Sequence, residues 1–518
     1  SAVSSTILMR ARCSLPSSRA TRCDRVSESH PAVLQRSTSE KWIGPAWLAL
    51  CSVLAVFAVA LLVVGEQFAW QRNLQDMPTR QLATGLIAAG LCYAGLLPLM
   101  HWTSRTGACR SAALLALVLL TGLVMRLVLL PSVPVLEDDF YRYLWDGAVT
   151  AAGLNPYAFA PASAAAGEVS PAVQQLARDG VLVLDRVNHP ELKTIYPPVA
   201  QAAFAVAHWI EPWSLRSWRF VCLLGECASA ALILYLLVAT GRSPLWLALY
   251  WLNPLVVKEL INSAHMEAIV LPFVLATVVL VVRHRPLWAT LMLGCAIGAK
   301  LWPVMLLPLV LKPLFVSPWR LAAAIGLLGI MALAWALPPW IGGLGPDSGF
   351  VAYATRWQTN SALFQLLQEL ARLAMGGFVV AEHTPGMLVR IVNAAAVAAL
   401  ALWLARRPVV QPGDIISHAA LIVLALFLLS PAQFPWYASW LLVFAPLIPW
   451  LTHLGVTLFL PLYYASFYLV GLDQYALMNP WLIWLEWLPI WTFLLLDARA
   501  AWRQPLAVDL GTGRSRRI

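Results

Sequence analysis

Apolar runs close to the length a helix needs to cross a bilayer recur through this chain, and they limit what it can become. Three such runs stand near residues 46–64, 81–100 and 111–130 before any acid-rich passage is met. Further runs lie near 220–240, 244–258, 266–282, 286–299, 301–316, 387–405, 415–430, 436–451, 453–470 and 480–498, and one more leads to about residue 340. With 60% of its 518 residues hydrophobic and 12% charged, the chain reads as an all-α polytopic membrane protein and not as a soluble enzyme with one anchor. The segment from Pro197 to Trp209 opens on two prolines and is too short to span. It is expected to be an interfacial or re-entrant helix.

The net charge of +10 would suit nucleic acid if it were spread over one face. It is not. Residues 1–41 carry Arg10, Arg12, Arg19, Arg22, Arg25, Arg36 and Lys41 against Asp24, Glu28 and Glu40, and the last twenty residues carry five arginines against Asp509. Both ends therefore read as cytoplasmic tails, 1–41 disordered and 499–518 basic, flanking a membrane domain at 42–498. One orientation also puts Arg105 and Arg110, the Arg283-His284-Arg285 cluster, Lys312, Arg320 and Arg406-Arg407 inside, with about fourteen crossings. The basic leader resembles an organellar transit peptide, but three acids interrupt it. Eight cysteines without a C-x-x-C pair give neither a disulfide framework nor a zinc site. No internal repeat indicates a transporter built from inverted halves.

On that orientation the passage Glu137 to Pro161, EDDFYRYLWDGAVTAAGLNPYAFAP, lies on the outer surface, in a loop at 131–219. As a helix it places Asp139, Arg142, Tyr143 and Asp146 on one face, with Asp138 as N-cap and Phe140, Leu144 and Trp145 turned towards lipid or the bundle. Gly153 and Pro156 then break it into a tight loop. The same parity brings other polar groups to this side. Lys258, Asn262 and His265 form an i, i+4, i+7 stripe flanked by Glu259 and Glu267, and Lys300 stands alone between two apolar runs. Arg126, Tyr196, Trp357, Asn360, Gln433, Trp436 and Tyr437 complete the set.

Ionisable groups at membrane depth are costly and mark function. The chain has no Walker motif and no G-x-G-x-x-G after a strand, so no nucleotide site is expected. Sugar transfer from a lipid phosphate fits the rest. The leaving phosphate needs no proton donor, so one carboxylate, Asp139 or Asp138, suffices to deprotonate the acceptor hydroxyl. Lys300, Arg126 and Lys258 would contact the phosphate. A divalent ion between Asp138 and Asp139 is compatible with the acids but not required, and no cofactor is expected. The rival reading is a transporter of lipid or lipid-linked sugar, which needs polar groups through the whole membrane thickness.

The segments DDFYRYLWDG, GLNPY, IYPPVAQ, NPLVVKELINSAHME, GAKLWP and SPAQFPWY, in this order over roughly residues 110–470, resemble the integral-membrane GT-C glycosyltransferases that use polyprenyl-phosphate sugars, especially bacterial mannosyltransferase-like members. The resemblance implies a bundle of about 12–14 transmembrane helices with juxtamembrane helices in a large extracytoplasmic loop. It also implies inverting transfer of a hexose, foremost mannose, to a glycan or lipid acceptor on the periplasmic face of a bacterial inner membrane. Asp139 matches the family's loop acid, with Asp138 beside it. Lys300 matches the lysine of the K-L-x-P motif, and His265 and Glu267 match a His-x-acid element. Arg142, Tyr143, Asp146, Tyr196, Lys258, Asn262, Trp436 and Tyr437 are expected to line the substrate. Ala148 and Glu267 stand where relatives often carry Arg and Asp.

Overall fold

A computed structural model describes residues 40–70, 72–108, 111–376 and 384–503. The tails expected at 1–41 and 499–518 fall almost entirely outside these residues, as do Cys109 and Arg110. Among the described residues all regular structure is helical, with two isolated bridges at Lys193↔Ser348 and Thr359↔Ala432. Nine helical stretches among them are long and apolar enough to cross a membrane. A bent pair, Pro254–Asn262 with Glu267–Val282, and two shorter apolar helices, Pro286–Ala299 and Trp302–Leu314, bring the helical passages to twelve. The chain is a multi-pass membrane protein.

The runs that do not form straight spans are those punctuated by proline. Residues 244–258 break at Asn253-Pro254 into short turns, and the run at 436–451 forms only Ala438–Leu442 before Pro446 and Pro449 end it. Proline removes a helix hydrogen bond and clashes with the preceding turn, so an apolar run of sufficient length still does not become one rod. Neither run is therefore one of the nine straight spans, although both belong to the roughly fourteen crossings expected from sequence.

The first helices are α1 (Ile43–Gly65), α2 (Thr79–Ala94), α3 (Leu96–Arg105) and α4 (Ala112–Leu129). After α4 the chain runs through Pro131 and Pro134 into α5 (Asp139–Ala151), then α6 (Pro161–Ala165), α7 (Pro171–Asp179), α8 (Val181–Leu184), α9 (Pro198–Ile210) and α10 (Leu215–Ala239). Helix α5 ends as the sequence predicts. Gly153 adopts φ +72°, and the amides of Gly153 and Leu154 return to the carbonyls of Thr150 and Val149, the closure that glycine allows without a Cβ penalty. Asn155 then donates to the carbonyl of Pro338 at 2.9 Å, tying this loop to the helix Pro318–Gly342.

Helices α5 and α9 form the most extensive helix pair of the segment 131–219. Gly147 makes the approach close, since a Cβ there would lie 2.6 Å from the carbonyl oxygen of Phe204. Around this contact Tyr143 stacks on Phe204 at 4.8 Å, and Phe204 meets Trp218 of α10 edge-on at 5.0 Å. Aromatic pairs of this kind add about 0.5–1.5 kcal/mol each beyond the area they bury. Phe140, Leu144 and Trp145 are all buried, so of the two directions open in the sequence they take the bundle and not lipid. The 13-residue α9 is the short helix expected after the paired prolines.

Candidate active site

The acids are set by their immediate neighbours. Asp138 occupies the N-cap position of α5 but makes no cap hydrogen bond with its side chain. Glu137 does this work instead: its Oε1 accepts from the amides of Asp138 and Asp139 at 3.2 and 3.1 Å. The expected N-cap role thus passes back one residue, and both aspartates are left free to face outward. Asn188 bridges them, its Nδ2 donating to Asp138 Oδ1 at 2.9 Å and Asp139 Oδ1 at 2.7 Å. Arg142 fixes the turn that carries Asn188, donating to the carbonyls of Leu192, Asn188 and His189. Its guanidinium is spent on backbone, so it positions the site more than it offers charge to a ligand. Asp146 does not join the acids either. It is buried, and accepts from Thr194 and Gln201, which locks α5 to the start of α9.

Asp138 and Asp139 open into a cavity of about 960 Å³. Lys300, Glu267, Tyr143, Tyr196, Trp436 and Tyr437 line the same cavity, so chain segments more than a hundred residues apart converge there. Lys300 is ion-paired to Glu267 and lies over the rings of Tyr437 and Trp440 at 4.4 and 5.2 Å. An ammonium has three donors, and this one, about a fifth exposed, keeps donors for a ligand in the cavity. Lys193 also lines the cavity, pairing with Asp347 at 3.0 Å and donating to the Gly342 carbonyl.

His265 stands behind the acids, fully buried and stacked on Trp436 at 4.0 Å. Its Nε2 lies 2.9 Å from Glu137 Oε2 and 3.5 Å from Glu259 Oε2, and its Nδ1 lies 4.0 Å from Asp139 Oδ2. Neither nitrogen has an in-line hydrogen bond. His265 thus lies against the acids without a hydrogen bond to any of them. Glu137, Asp139 and His265 each offer one ligand atom, all within 4.8 Å of one another. This is the set a cation could use here, rather than the Asp138–Asp139 pair considered from sequence.

Burial dominates the acidity of all three carboxyls. It pushes Asp139 up to about 7, with the Glu137 charge adding to the rise and His265 opposing it. Glu137 is pushed up to about 7 by burial, against the pull of Lys258. Asp138, less enclosed, is raised by burial and by Glu137 to about 6. A carboxyl raised into the neutral range is suited to taking a proton in the reaction.

Three expected ligands are placed elsewhere. Arg126 is wholly buried, with its guanidinium on Glu226 Oε2 at 2.7 Å, on the carbonyls of Gly122 and Trp251, and over the Trp251 ring at 3.6 Å. A charge satisfied in this way neither snorkels nor reaches a phosphate. Lys258 is buried against Glu259 and Tyr464. The i, i+4, i+7 helix stripe does not form, because Lys258–Asn262 winds as a π-helix and the chain breaks before Glu267, with Ala264 at φ +59°. Asn262 serves the backbone. It donates to Ser132 Oγ and the Val133 carbonyl and accepts from the Val135 amide, which pins the strand of chain leading to the acids. Asn360 and Gln433 are likewise buried: Asn360 donates to the Gln433 carbonyl and to Glu486, and Gln433 donates to the carbonyls of Phe427 and Leu428, whereas Trp357 lines the cavity.

Several residues of the site gave no distinguishing signal in sequence. Glu137 was visible only as a neighbour of the tandem acids, and Asn188 lies in a loop with no recognisable pattern. The connection between α1 and α2 contributes Phe68, Trp70, Arg72, Leu74 and Met77 to the cavity wall, although sequence gave that segment no role.

Comparison with known proteins adds to this picture. Residues 41–316 match the family model described as alpha-(1->6)-mannopyranosyltransferase, N-terminal domain. The chain is 26% identical over 359 residues to alpha-(1->6)-mannopyranosyltransferase A of Mycobacterium tuberculosis, covering 63% of this chain and 64% of that protein. It is 25% identical over 364 residues to alpha-(1->6)-mannopyranosyltransferase B of Corynebacterium glutamicum, covering 62% and 57%. The aligned region thus spans less than two thirds of these curated relatives. No solved structure matches the chain.

Proposed function

The chain belongs to the alpha-(1->6)-mannopyranosyltransferase family of GT-C membrane proteins, and from that premise we propose that it transfers mannose from a polyprenyl-phosphate donor to a hydroxyl of a glycan or lipid acceptor. The observation that carries the reading is the shared cavity, with a carboxyl raised into the neutral range at Asp139 and an ammonium at Lys300. The acceptor oxygen attacks the anomeric carbon from the side opposite the phosphate, its proton passes to Asp139, and the carbon–oxygen bond to phosphate breaks with inversion. The phosphate leaves as a monoester, with Lys300 opposite the charge it gains. Asn188 holds the Asp139 carboxylate in place through the attack. Asp138 lies beside the base and shares the same amide.

The orientation inferred from the arginine clusters supports an active site on the periplasmic face of a bacterial inner membrane, with both tails in the cytoplasm. The test is direct. Purified protein is incubated with radiolabelled polyprenyl-phosphate mannose and an α-(1→6)-linked mannoside. Transfer by the wild type and its loss in Asp139→Asn support the reading. Equal transfer by both overturns the assignment of the base, and translocation of the lipid without any product favours a transporter.

A further inference from the structure

The α1–α2 connection takes no part in the transfer step, yet it reaches the reaction cavity. Trp70 lines the wall, half-exposed at 51%. An ordinary interface tryptophan points its ring at lipid and its N–H at headgroups. Trp70 is instead held edge-on by Tyr141 at 5.8 Å. The guanidinium of Arg186 stands over both rings at 5.8 and 5.7 Å and donates to the Tyr141 hydroxyl at 3.1 Å. Arg72 lies two residues on from Trp70 and lines the same wall. Tyr141 sits three residues after Asp138, on the same face of α5. The aromatic pair is therefore joined to the acids through one helical turn.

This end of the cavity differs in chemistry from the end at Lys300. A path of contacts separates them: Lys300 to Tyr437, Tyr437 to Trp436, Trp436 to His265, His265 to Asp139. Trp70 and Tyr141 make none of these contacts and connect to the acids through α5 instead. A donor phosphate held at Lys300 therefore leaves the aromatic pair free for the group that the base deprotonates. A hexopyranose has an apolar C–H face, which suits an indole, and a rim of hydroxyls, which suits the guanidinium donors of Arg72 in the same wall.

Resting on the proposed transfer reaction, we infer that Trp70 and Tyr141, held in place by Arg186, form the acceptor subsite, which takes the terminal hexopyranosyl residue of the acceptor glycan against the exposed part of the indole. Trp70→Ala removes the platform, whereas Trp70→Phe keeps a smaller aromatic face. With the full chain in lipid nanodiscs, the octyl glycoside of an α-(1→6)-linked mannobiose serves as acceptor and polyprenyl-phosphate mannose as donor. The KM for the glycoside is expected to rise about tenfold or more in Trp70→Ala, equivalent to about 1.4 kcal/mol or more. The donor KM should stay within twofold, and Trp70→Phe should restore most of the loss. An unchanged acceptor KM in Trp70→Ala, or acceptor and donor KM rising together, overturns the inference, since a belt residue or a merely structural loop would behave so. Titration of the glycoside without donor, by calorimetry, separates this inference from the reaction it rests on. If the wild type binds the glycoside tenfold better than Trp70→Ala but transfers nothing, the reaction fails and the subsite stands. If binding is absent or indifferent to Trp70, the subsite fails.

Discussion

The acid side of the pH–rate profile should report Asp139, and Glu137 should set where it falls. A base must be deprotonated to act, so the rate should rise with pH through about 7, the value to which burial and Glu137 push Asp139. Glu137→Gln removes one charge while retaining an acceptor oxygen for the amides of Asp138 and Asp139. The facing atoms of the two carboxyls lie within 4.8 Å. At that separation, Coulomb's law gives about 3.5 kcal/mol at an effective dielectric constant near 20 and about 0.9 kcal/mol in water. Because Glu137 also titrates at about 7, it is only partly charged where Asp139 ionises, which favours the lower part of that range. The limb should therefore move down by roughly one pH unit, 1.36 kcal/mol corresponding to each. The assay is initial-rate transfer of labelled mannose between pH 5 and 9, with wild type and variant in the same nanodiscs. A limb that stays at its wild-type position or moves upward would refute the coupling, and with it the identification of Asp139 as the titrating base.

Other outcomes follow from the same geometry. Asp139→Asn should lower kcat by about 10²–10⁴, the usual range for loss of a positioned base, measured as single-turnover transfer. Lys300→Met should lower kcat/KM about a hundredfold or more, with Lys300→Arg losing less, checked by steady-state kinetics on the donor. Glu226→Gln should destabilise the bundle by about 3–5 kcal/mol, since it leaves the buried Arg126 without its counter-charge. A melting temperature in detergent equal to the wild type's would contradict this. The raised acids make a further prediction about stability. In the folded state Glu137, Asp138 and Asp139 hold protons that the unfolded chain releases near pH 4. Their contribution is fully present below about pH 4 and is lost as pH rises through about 7. Thermal stability attributable to them should fall over that window, and Asp139→Asn should flatten the fall.

What the sequence determined by itself is what depends on local pattern. Apolar length sets the membrane class, glycine and proline set the end of α5, and tandem acids directly after a span point to the acids that line the cavity. Lys300, isolated between two apolar runs, was legible as a group in need of a partner. Which cations reach the cavity was decided only by the tertiary structure, because a buried charge takes the partner that packing brings to it. For Arg126 that partner is Glu226, a hundred residues away, and for Lys258 it includes Tyr464, 206 residues away. Periodicity cannot carry such pairings, and the break at Ser263–Met266 shows why. A stripe drawn on an ideal helix placed Lys258, Asn262 and His265 together, while the π-helical turn and the bend sent one into the bundle, one to the backbone of the approach to α5, and the last to the acids.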